Sequence, residues 1–247
     1  IEGGYTGSGN LDFDPKFVSQ PPVGLGTEGD LRLQACSPAI DAANDADAPA
    51  TDFDQNARFD ALPNESIADM GAYEFQSSAT PTVANCQTSV DAFLDNNGSA
   101  TVPATALNDG STGCSPLVFS INGQPSIAFN CSQIGNQPVT LTATYVNRMS
   151  TCTTTVHVLD NMAPTITCPD NIAKTTDTDQ CSAVTTYSVT ASDNCAYTLT
   201  RTSPAGTESS SAFSIGMTNV EWSVTDAGGN ATSCAFTVTV TDEQDPT

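Results

Sequence analysis

The chain has little positive charge and few aromatic rings. Its 247 residues contain six Lys and Arg against 28 Asp and Glu, which gives a formal net charge of −22, and it has a single His. Such an electronegative surface repels phosphate backbones, so nucleic acid is a poor partner. Aromatic residues make up 6% of the chain and leave few platforms on which sugars could stack. No apolar run reaches the roughly 18 residues that a membrane span requires.

The chain begins at Ile1 rather than Met and ends within a repeating pattern. We therefore expect it to be a segment of a longer protein.

Nine Cys in a Lys-poor, Ser- and Thr-rich chain indicate an oxidising compartment. Eight of them form two sets of four, Cys86, Cys114, Cys131 and Cys152, then Cys168, Cys181, Cys195 and Cys234. There is no CxxC pair and no Cys/His cluster, so a zinc site is disfavoured. The sequence predicts that these eight Cys form four disulfides, each within its own set.

An internal repeat accounts for the two sets. A shift of 82 residues places Cys86 on Cys168 and Cys152 on Cys234. Within each repeat, apolar residues alternate with Ser and Thr, as in the stretch from Val220 through Trp222, and this period of two is typical of half-buried antiparallel strands. Repeats of this size with few helix formers favour an immunoglobulin-like sandwich, with Trp222 in its core.

The second repeat carries a specific set of residues: Pro164, Cys168-Pro169, Asp193-Asn194-Cys195, Phe213, Ile215-Gly216, Val220, Thr225-Asp226, Gly229-Asn230, Cys234 and Phe236-Thr237-Val238. With this set the repeat resembles the hyalin repeat, or HYR, domain. The first repeat resembles a variant common in large secreted bacterial proteins, through Leu94-Asp95, Gly98, Phe129-Asn130-Cys131 and Ile134-Gly135. The resemblance implies extracellular immunoglobulin-like modules associated with adhesion.

Four Cys allow three pairings, so spacing alone leaves the connectivity open. If the first strand of each sandwich runs antiparallel to the second, the start of one strand lies beside the end of the other. This geometry predicts four bonds: Cys86–Cys114, Cys131–Cys152, Cys168–Cys195 and Cys181–Cys234.

Residues 1–77 follow a different pattern, with Gly-rich turns and scattered Asp. The strings Ser37-Pro38-Ala39-Ile40-Asp41 and Asp69-Met70-Gly71-Ala72-Tyr73-Glu74 resemble the terminal coils of secreted bacterial right-handed parallel β-helices of the choice-of-anchor or pectate-lyase-like type. Such coils cannot bury their apolar face alone, so more coils are expected before Ile1. Cys36 is interpreted as a small buried coil residue, or as bonded to that upstream part.

An enzyme has to be considered because many β-helices cleave polysaccharides. The candidate cations are Lys16, Arg32 and Arg58, and we interpret Arg58 as part of a charge-paired turn. His157 lies on an alternating strand and is interpreted as a solvated side chain. No triad, metal site or acid and base pair can be built around these residues, so no catalysis is predicted in this segment.

Acidic and amide side chains recur at the ends of the predicted strands: Asp160, Asn161, Asp193, Asn194, Asp226 and Asp242. Such oxygen ligands suit Ca²⁺ better than transition metals. The alternative interpretation is that they only form turns, where Asp and Asn are common.

The sequence thus predicts an all-β chain: the end of a right-handed parallel β-helix (1–77) and two tandem immunoglobulin-like β-sandwiches (78–161 and 162–247). The predicted function is that of a structural and adhesive segment of a large protein on the bacterial cell surface. Its expected partners are further repeats of the same chain, surface polysaccharide or other subunits of a fibre. The alternatives are accessory modules of an upstream polysaccharide lyase or hydrolase, and a carbohydrate-binding module.

Overall fold

The computed structural model describes residues 13–19, 29–43, 48–58, 68–75, 80–146, 148–204 and 210–243. Its regular structure consists of β-strands and two short 3₁₀ turns, Ala104–Leu107 and Cys131–Gln133. The chain is all-β, as predicted. Among the described residues there is no helix with the length and apolar character needed to cross a membrane.

The N-terminal segment contains two strands, β1 (Phe17–Ser19) and β2 (Asp30–Leu33), which pair antiparallel. A small core forms around Leu33, Ala39 and Ile40, with Met70 packed against it. No parallel pairing is seen among the described residues before position 76. The parallel β-helix therefore stays a prediction.

Charged groups are buried beside this core. Arg58 donates through Nη2 to the carbonyl of Gly71 at 2.7 Å, and its Nη1 lies 3.8 Å from the Glu74 carboxylate. Asp52 accepts hydrogen bonds from the backbone N–H groups of Asn56 (2.8 Å) and Glu74 (3.0 Å). Arg58 thus belongs to a charge-paired turn, as the sequence predicts.

We expect this segment to lose stability in acid because of Asp52, which is 4% exposed. Burial raises the pKa of Asp52, but hydrogen bonds from Glu74 and Asn56 lower it by more, so the net pKa lies below its usual range. A depressed folded-state pKa gives stability that is present above the unfolded value of about 3.9 and is lost as the pH falls through the folded value. Urea unfolding between pH 6 and pH 3 should show this loss, and D52N should reduce it. An equal slope in both proteins would contradict the assignment.

The first repeat contributes six strands: β3 (Ser89–Phe93), β4 (Ser99–Pro103), β5 (Val118–Ser120), β6 (Ser126–Asn130), β7 (Gly135–Tyr145) and β8 (Arg148–Leu159). They form a sheet in the order β3-β8-β7-β5 and a two-stranded sheet, β4-β6. The first and last strands, β3 and β8, run parallel to each other.

The second repeat contributes eight strands: β9 (Thr165–Thr167), β10 (Ile172–Thr175), β11 (Ser182–Val184), β12 (Thr190–Ser192), β13 (Tyr197–Ser203), β14 (Ala212–Ser214), β15 (Gly216–Asp226) and β16 (Ala231–Thr241). The main sheet has the order β10-β16-β15-β13, and β11-β14 and β12-β9 form two small sheets. The parallel pair β10 and β16 matches β3 and β8, and β11-β14 matches β4-β6. The two repeats therefore share one strand topology.

The core of the second repeat lies between its sheets. Ala183 and Phe213 from β11 and β14 pack with Val220, Phe236 and Val238 from the main sheet. This two-layer packing is that of a β-sandwich. Trp222 is partly buried against the same cluster, in agreement with its predicted place in the core.

The chain divides into two compact units. One comprises residues 1–87, 107–125 and 140–153, and the other comprises residues 88–106, 126–139 and 154–247. The boundary between the two units cuts across strands of the first repeat and does not follow the ends of that repeat. The boundaries drawn from the sequence at 77/78 and 161/162 stay predictions.

The disulfides differ from all four predicted pairings. The bonds are Cys36–Cys114, Cys86–Cys152, Cys131–Cys195 and Cys168–Cys234, while Cys181 is free and exposed. Cys131–Cys195 crosses between the two sets, and Cys36–Cys114 joins the first set to a Cys outside both, so the prediction that each set closes on itself is also wrong.

The parallel pairing of the first and last strands explains the two bonds within repeats. Ser89 of β3 lies opposite Thr155 of β8, so Cys86 and Cys152, each three residues earlier, face each other. In the second repeat Ile172 lies opposite Val238, which brings Cys168 beside Cys234 in the same way. The wrong pairings followed from an antiparallel arrangement of the first strand with its successor.

The other two bonds begin at equivalent positions. Cys114 and Cys195 match in the repeat, and each bonds to a Cys in the stretch that comes before its own repeat, Cys36 and Cys131. Cys36 is therefore neither a simple buried residue nor bonded upstream. Its partner lies 78 residues further along the chain.

Candidate metal site

Three carboxylates from different turns of the second compact unit converge. Asp160 follows β8, Asp193 follows β12 and Asp226 ends β15, and one oxygen of each lies within 4.8 Å of the others. Asp160 is 5% exposed and Asp226 is 8% exposed, whereas Asp193 is half-buried. Burial of like charges this close is costly unless a cation or protons compensate it.

Asn230 links the Asp226 carboxylate to the backbone of Asp160. Its backbone N–H donates to Asp226 Oδ1 at 2.8 Å, and its Nδ2 donates to Asp226 Oδ2 at 2.9 Å. The same Nδ2 donates to the backbone carbonyl of Asp160 at 2.8 Å. One amide side chain thus connects the turn after β15 to the end of β8.

Gly228 allows this close approach. A Cβ at this position would lie 2.6 Å from the Asp160 carbonyl oxygen and 3.0 Å from the Asp160 Cβ. Residue 228 has to be Gly because the Asp160 backbone fills the space in which a side chain would begin.

Asn194 and Cys195 position the third carboxylate. The backbone N–H of Cys195 donates to Asp193 Oδ2 at 3.0 Å. Asn194 Nδ2 donates to Asp160 Oδ1 at 3.3 Å and to the Asp95 carbonyl at 3.0 Å. The Cys131–Cys195 disulfide anchors the same turn.

These hydrogen bonds leave two oxygens of the cluster without a partner. Asp160 Oδ2 and Asn194 Oδ1 are buried and accept no hydrogen bond. In the part of the chain that the structure describes, no Lys, Arg or His forms an ion pair with the three carboxylates. Ca²⁺ binds oxygens at about 2.3–2.6 Å, so ligands on opposite sides of the ion lie about 5 Å apart. The cluster has the ligand type and spacing for such an ion.

Three of the six residues predicted as metal ligands therefore come together, and Asn194 lies beside them. Asn161 is exposed and next to Asp160 in the chain. Asp242 lies at the far end of β16 from the Asp226 turn, roughly 35 Å away along an eleven-residue strand. Asp242 therefore cannot bind the same ion, and its role as a ligand stays a prediction.

Sequence reasoning missed the contribution of Gly228 and the bridging role of Asn230. The string Gly228-Gly229-Asn230 predicts a turn, but it does not show that Asp160 lies beside that turn. The close approach depends on the tertiary position of Asp160, which the sequence does not show.

The candidate catalytic residues lie elsewhere. His157 is partly exposed and pairs with Asp91, with Nδ1 3.1 Å from the carboxylate oxygen. Lys16 Nζ donates to the hydroxyl of Tyr145 at 2.8 Å. The absence of catalysis stays a prediction.

The acidic cluster falls within a recognisable domain. Residues 159–240 match the HYR domain family. This match contains Asp160, Asp193 and Asp226 and the strands that position them, so we call this part of the chain the HYR module. HYR domains and disulfides are typical of extracellular proteins.

Hyalin from Strongylocentrotus purpuratus is 34% identical to the chain in an alignment 178 residues long, which covers 65% of this chain. The chain spans 14% of the length of that protein.

Solved structures of human Protocadherin-24 EC1-2 (form II) and of titin I67–I69 also align. The first is 16% identical, covers 68% of this chain and all of its own, and has a TM-score of 0.30. The second is 12% identical, covers 66% of this chain and 64% of its own, and has a TM-score of 0.28. TM-scores this low establish no shared fold, so the sandwich rests on its own strand order and core.

Proposed function

We propose that the chain is a non-enzymatic, adhesive segment of an extracellular protein, and that Ca²⁺ bound by Asp160, Asp193 and Asp226 stiffens it. The observation that carries this proposal is the buried Asp160 Oδ2, which has no hydrogen-bond partner and belongs to a cluster of three carboxylates. The HYR match and the similarity to hyalin support the adhesive repeat role.

The site lies where the last strand of the first repeat leads into the HYR module. Without a cation, repulsion among the three carboxylates opposes the packing of Asp160 against the turns that carry Asp193 and Asp226. A divalent cation removes this repulsion and adds ligand bonds between the three turns. Ca²⁺ binding is thereby coupled to the order of the connection between the repeats.

We expect Ca²⁺ to raise the melting temperature of the chain relative to chelator. An ion that binds only the folded state stabilises it by about 2.7 kcal/mol at a hundredfold excess over Kd. D193N is the sharpest variant, since Asn can still accept the Cys195 N–H while one ligand charge is lost. Titration calorimetry should show affinity lowered by about tenfold or more, because ligand charge tunes Ca²⁺ affinity.

D170N is the matched control, since Asp170 is an exposed acidic residue of the same module, and its affinity should equal that of the unaltered chain. Identical melting curves in Ca²⁺ and in chelator would show that the acidic turns are only turns.

We further propose the bacterial cell surface as the location, and surface polysaccharide or fibre subunits as partners. The sequence motifs of residues 1–77 support the proposal that this segment is the end of a β-helix. A small core of Leu33, Ala39 and Ile40 is compatible with a terminal coil that needs neighbours.

A further inference from the structure

Cys181 is the one Cys of nine that forms no disulfide. It is exposed and lies directly before β11. Strand register identifies its counterpart in the first repeat. Ala100 of β4 pairs with the buried Phe129, and Ala183 of β11 pairs with the buried Phe213. Cys181 lies two residues before Ala183, and Gly98 lies two residues before Ala100. Cys181 therefore occupies the position of Gly98.

The turns before these strands confirm the equivalence. The Asp95 N–H donates to the Ser99 carbonyl, and the Asp177 N–H donates to the Ser182 carbonyl, both at 2.9 Å. Gly98 directly precedes Ser99, and Cys181 directly precedes Ser182. The turn of the HYR module is one residue longer, and it ends at Cys181.

Position 98 lies at the Cys131–Cys195 disulfide. A Cβ placed on Gly98 would lie 2.5 Å from Cys131 Sγ and 3.7 Å from Cys195 Sγ. The glycine thus leaves the space in which the Cys131 sulfur meets Cys195. A Cys at this position would carry its own sulfur into the same space.

The two strands of this small sheet differ at their ends in the two repeats. Asn130 faces Ser99, and Ser214 faces Ser182. Asn130 is followed by the 3₁₀ turn Cys131–Gln133, whereas Ser214 is followed by Ile215, which leads directly into β15. The first repeat carries Gly98 with Cys131, whereas the HYR module carries Cys181 with Ile215. Each repeat therefore has one Cys at this end of its two-stranded sheet. In the first repeat Cys131 follows β6, and in the HYR module Cys181 precedes β11.

The same end of the HYR module also reproduces the acidic ligand. The Leu94 N–H donates to the Leu159 carbonyl, and the Thr176 N–H donates to the Thr241 carbonyl, in both cases just before the turn described above. Asp160 follows Leu159, and Asp242 follows Thr241. The module thus presents Asp242 and Cys181 in the positions in which the first repeat presents Asp160 and Cys131.

We propose that Cys181 is the attachment point for a further HYR module that follows this one, through a disulfide to the Cys equivalent to Cys195. The bond continues a series in which Cys114 bonds to Cys36 and Cys195 bonds to Cys131. It forms when the two thiols give up two electrons and two protons to a small-molecule disulfide such as oxidised glutathione, which leaves as two thiols. The inference does not depend on Ca²⁺.

The test appends residues 166–247 to the complete chain, which adds one HYR module in register. The appended copy carries C181S, so that one Cys181 remains, and T198S, which marks the peptide containing its Cys195. The chain is refolded under oxidising conditions, and its free thiols are alkylated. Cleavage of the chain before Asp residues then places Cys181 and the marked Cys195 on different peptides. We expect Cys181 to be joined to the marked Cys195 in at least nine of ten molecules.

The control replaces the original Cys181 as well, by C181S, and should leave the marked Cys195 free for alkylation. If both thiols are alkylated while every other Cys stays bonded, the proposal is wrong.

A second variant tests the geometry without an appended module. In G98C/C131S the thiol introduced at position 98 should bond to Cys195, as Cys181 would bond to its partner. Free thiols at both positions in this variant, with the other three disulfides intact, would overturn the equivalence on which the proposal is built.

Discussion

In the double variant C168S/C234S we expect the free energy of unfolding of the HYR module to fall by about 4 kcal/mol. The Cys168–Cys234 bond closes a loop of 66 residues, and cross-links of this length restrict the unfolded chain by about that amount. Cys168 also packs against the core formed by Phe236 and Val238, so its removal loosens that layer. The effect is a large part of the 5–15 kcal/mol that is typical of a domain.

Trp222 makes the measurement specific. It is the only Trp in the chain, it lies opposite Cys234 in the sheet, and its fluorescence reports unfolding of this module. C181S is the matched control and should leave the urea midpoint unchanged, because Cys181 is exposed and forms no bond. Equal midpoints for the double variant and the control would mean that the disulfide adds no stability.

G228A should both destabilise the HYR module and abolish tight Ca²⁺ binding. The added Cβ would lie 2.6 Å from the Asp160 carbonyl oxygen and 3.2 Å from Asn230 Nδ2, so the turn has to move away from Asp160. Overpacking of this kind costs about 1–3 kcal/mol. Because Asn230 links Asp226 to Asp160, the movement separates the ligands as well.

G229A separates the two effects. Gly229 has a φ of +91° and nothing within 4 Å of an added Cβ, so Ala there costs about 1 kcal/mol of backbone strain without contact to Asp160. We expect its Ca²⁺ affinity, measured by titration calorimetry, to match that of the unaltered chain. Retained affinity in G228A would show that the approach of the two turns is not needed for binding.

Much of the fold could be predicted because the period of two is strong in the long strands. The alternation around Val220 and Val238 identifies the buried face of β15 and β16, and the 82-residue shift identifies the repeat. The acidic cluster was accessible for the same reason, since Asp160, Asp193 and Asp226 all end strands or begin turns. Asp242 was grouped with them because a repeat offset does not show which end of a module a residue occupies.

The disulfides could not be predicted because their pairing depends on strand direction. Parallel pairing of β3 with β8 and of β10 with β16 comes from tertiary packing. Alternation of apolar residues is the same in parallel and antiparallel neighbours, so Cys86 gives no sign that Cys152 is its partner. Cys36 has no Cys near it in the sequence, and its partner Cys114 lies 78 residues further along, in a segment of different composition.

The Cys168–Cys234 bond also limits how far the HYR module can lengthen under tension. Pulling on its two ends transmits the force through the disulfide from Cys168 to Cys234, so β10, which lies inside the loop that the disulfide closes, is not pulled away from β16. If the sheet yields, the covalent loop of 66 residues stays closed. Of residues 159–240, only about 16 can then extend, or roughly 55 Å at 3.4 Å each. In a series of such modules, each unfolding event therefore adds only a short length, and most of the contour length of each module stays inside its closed loop.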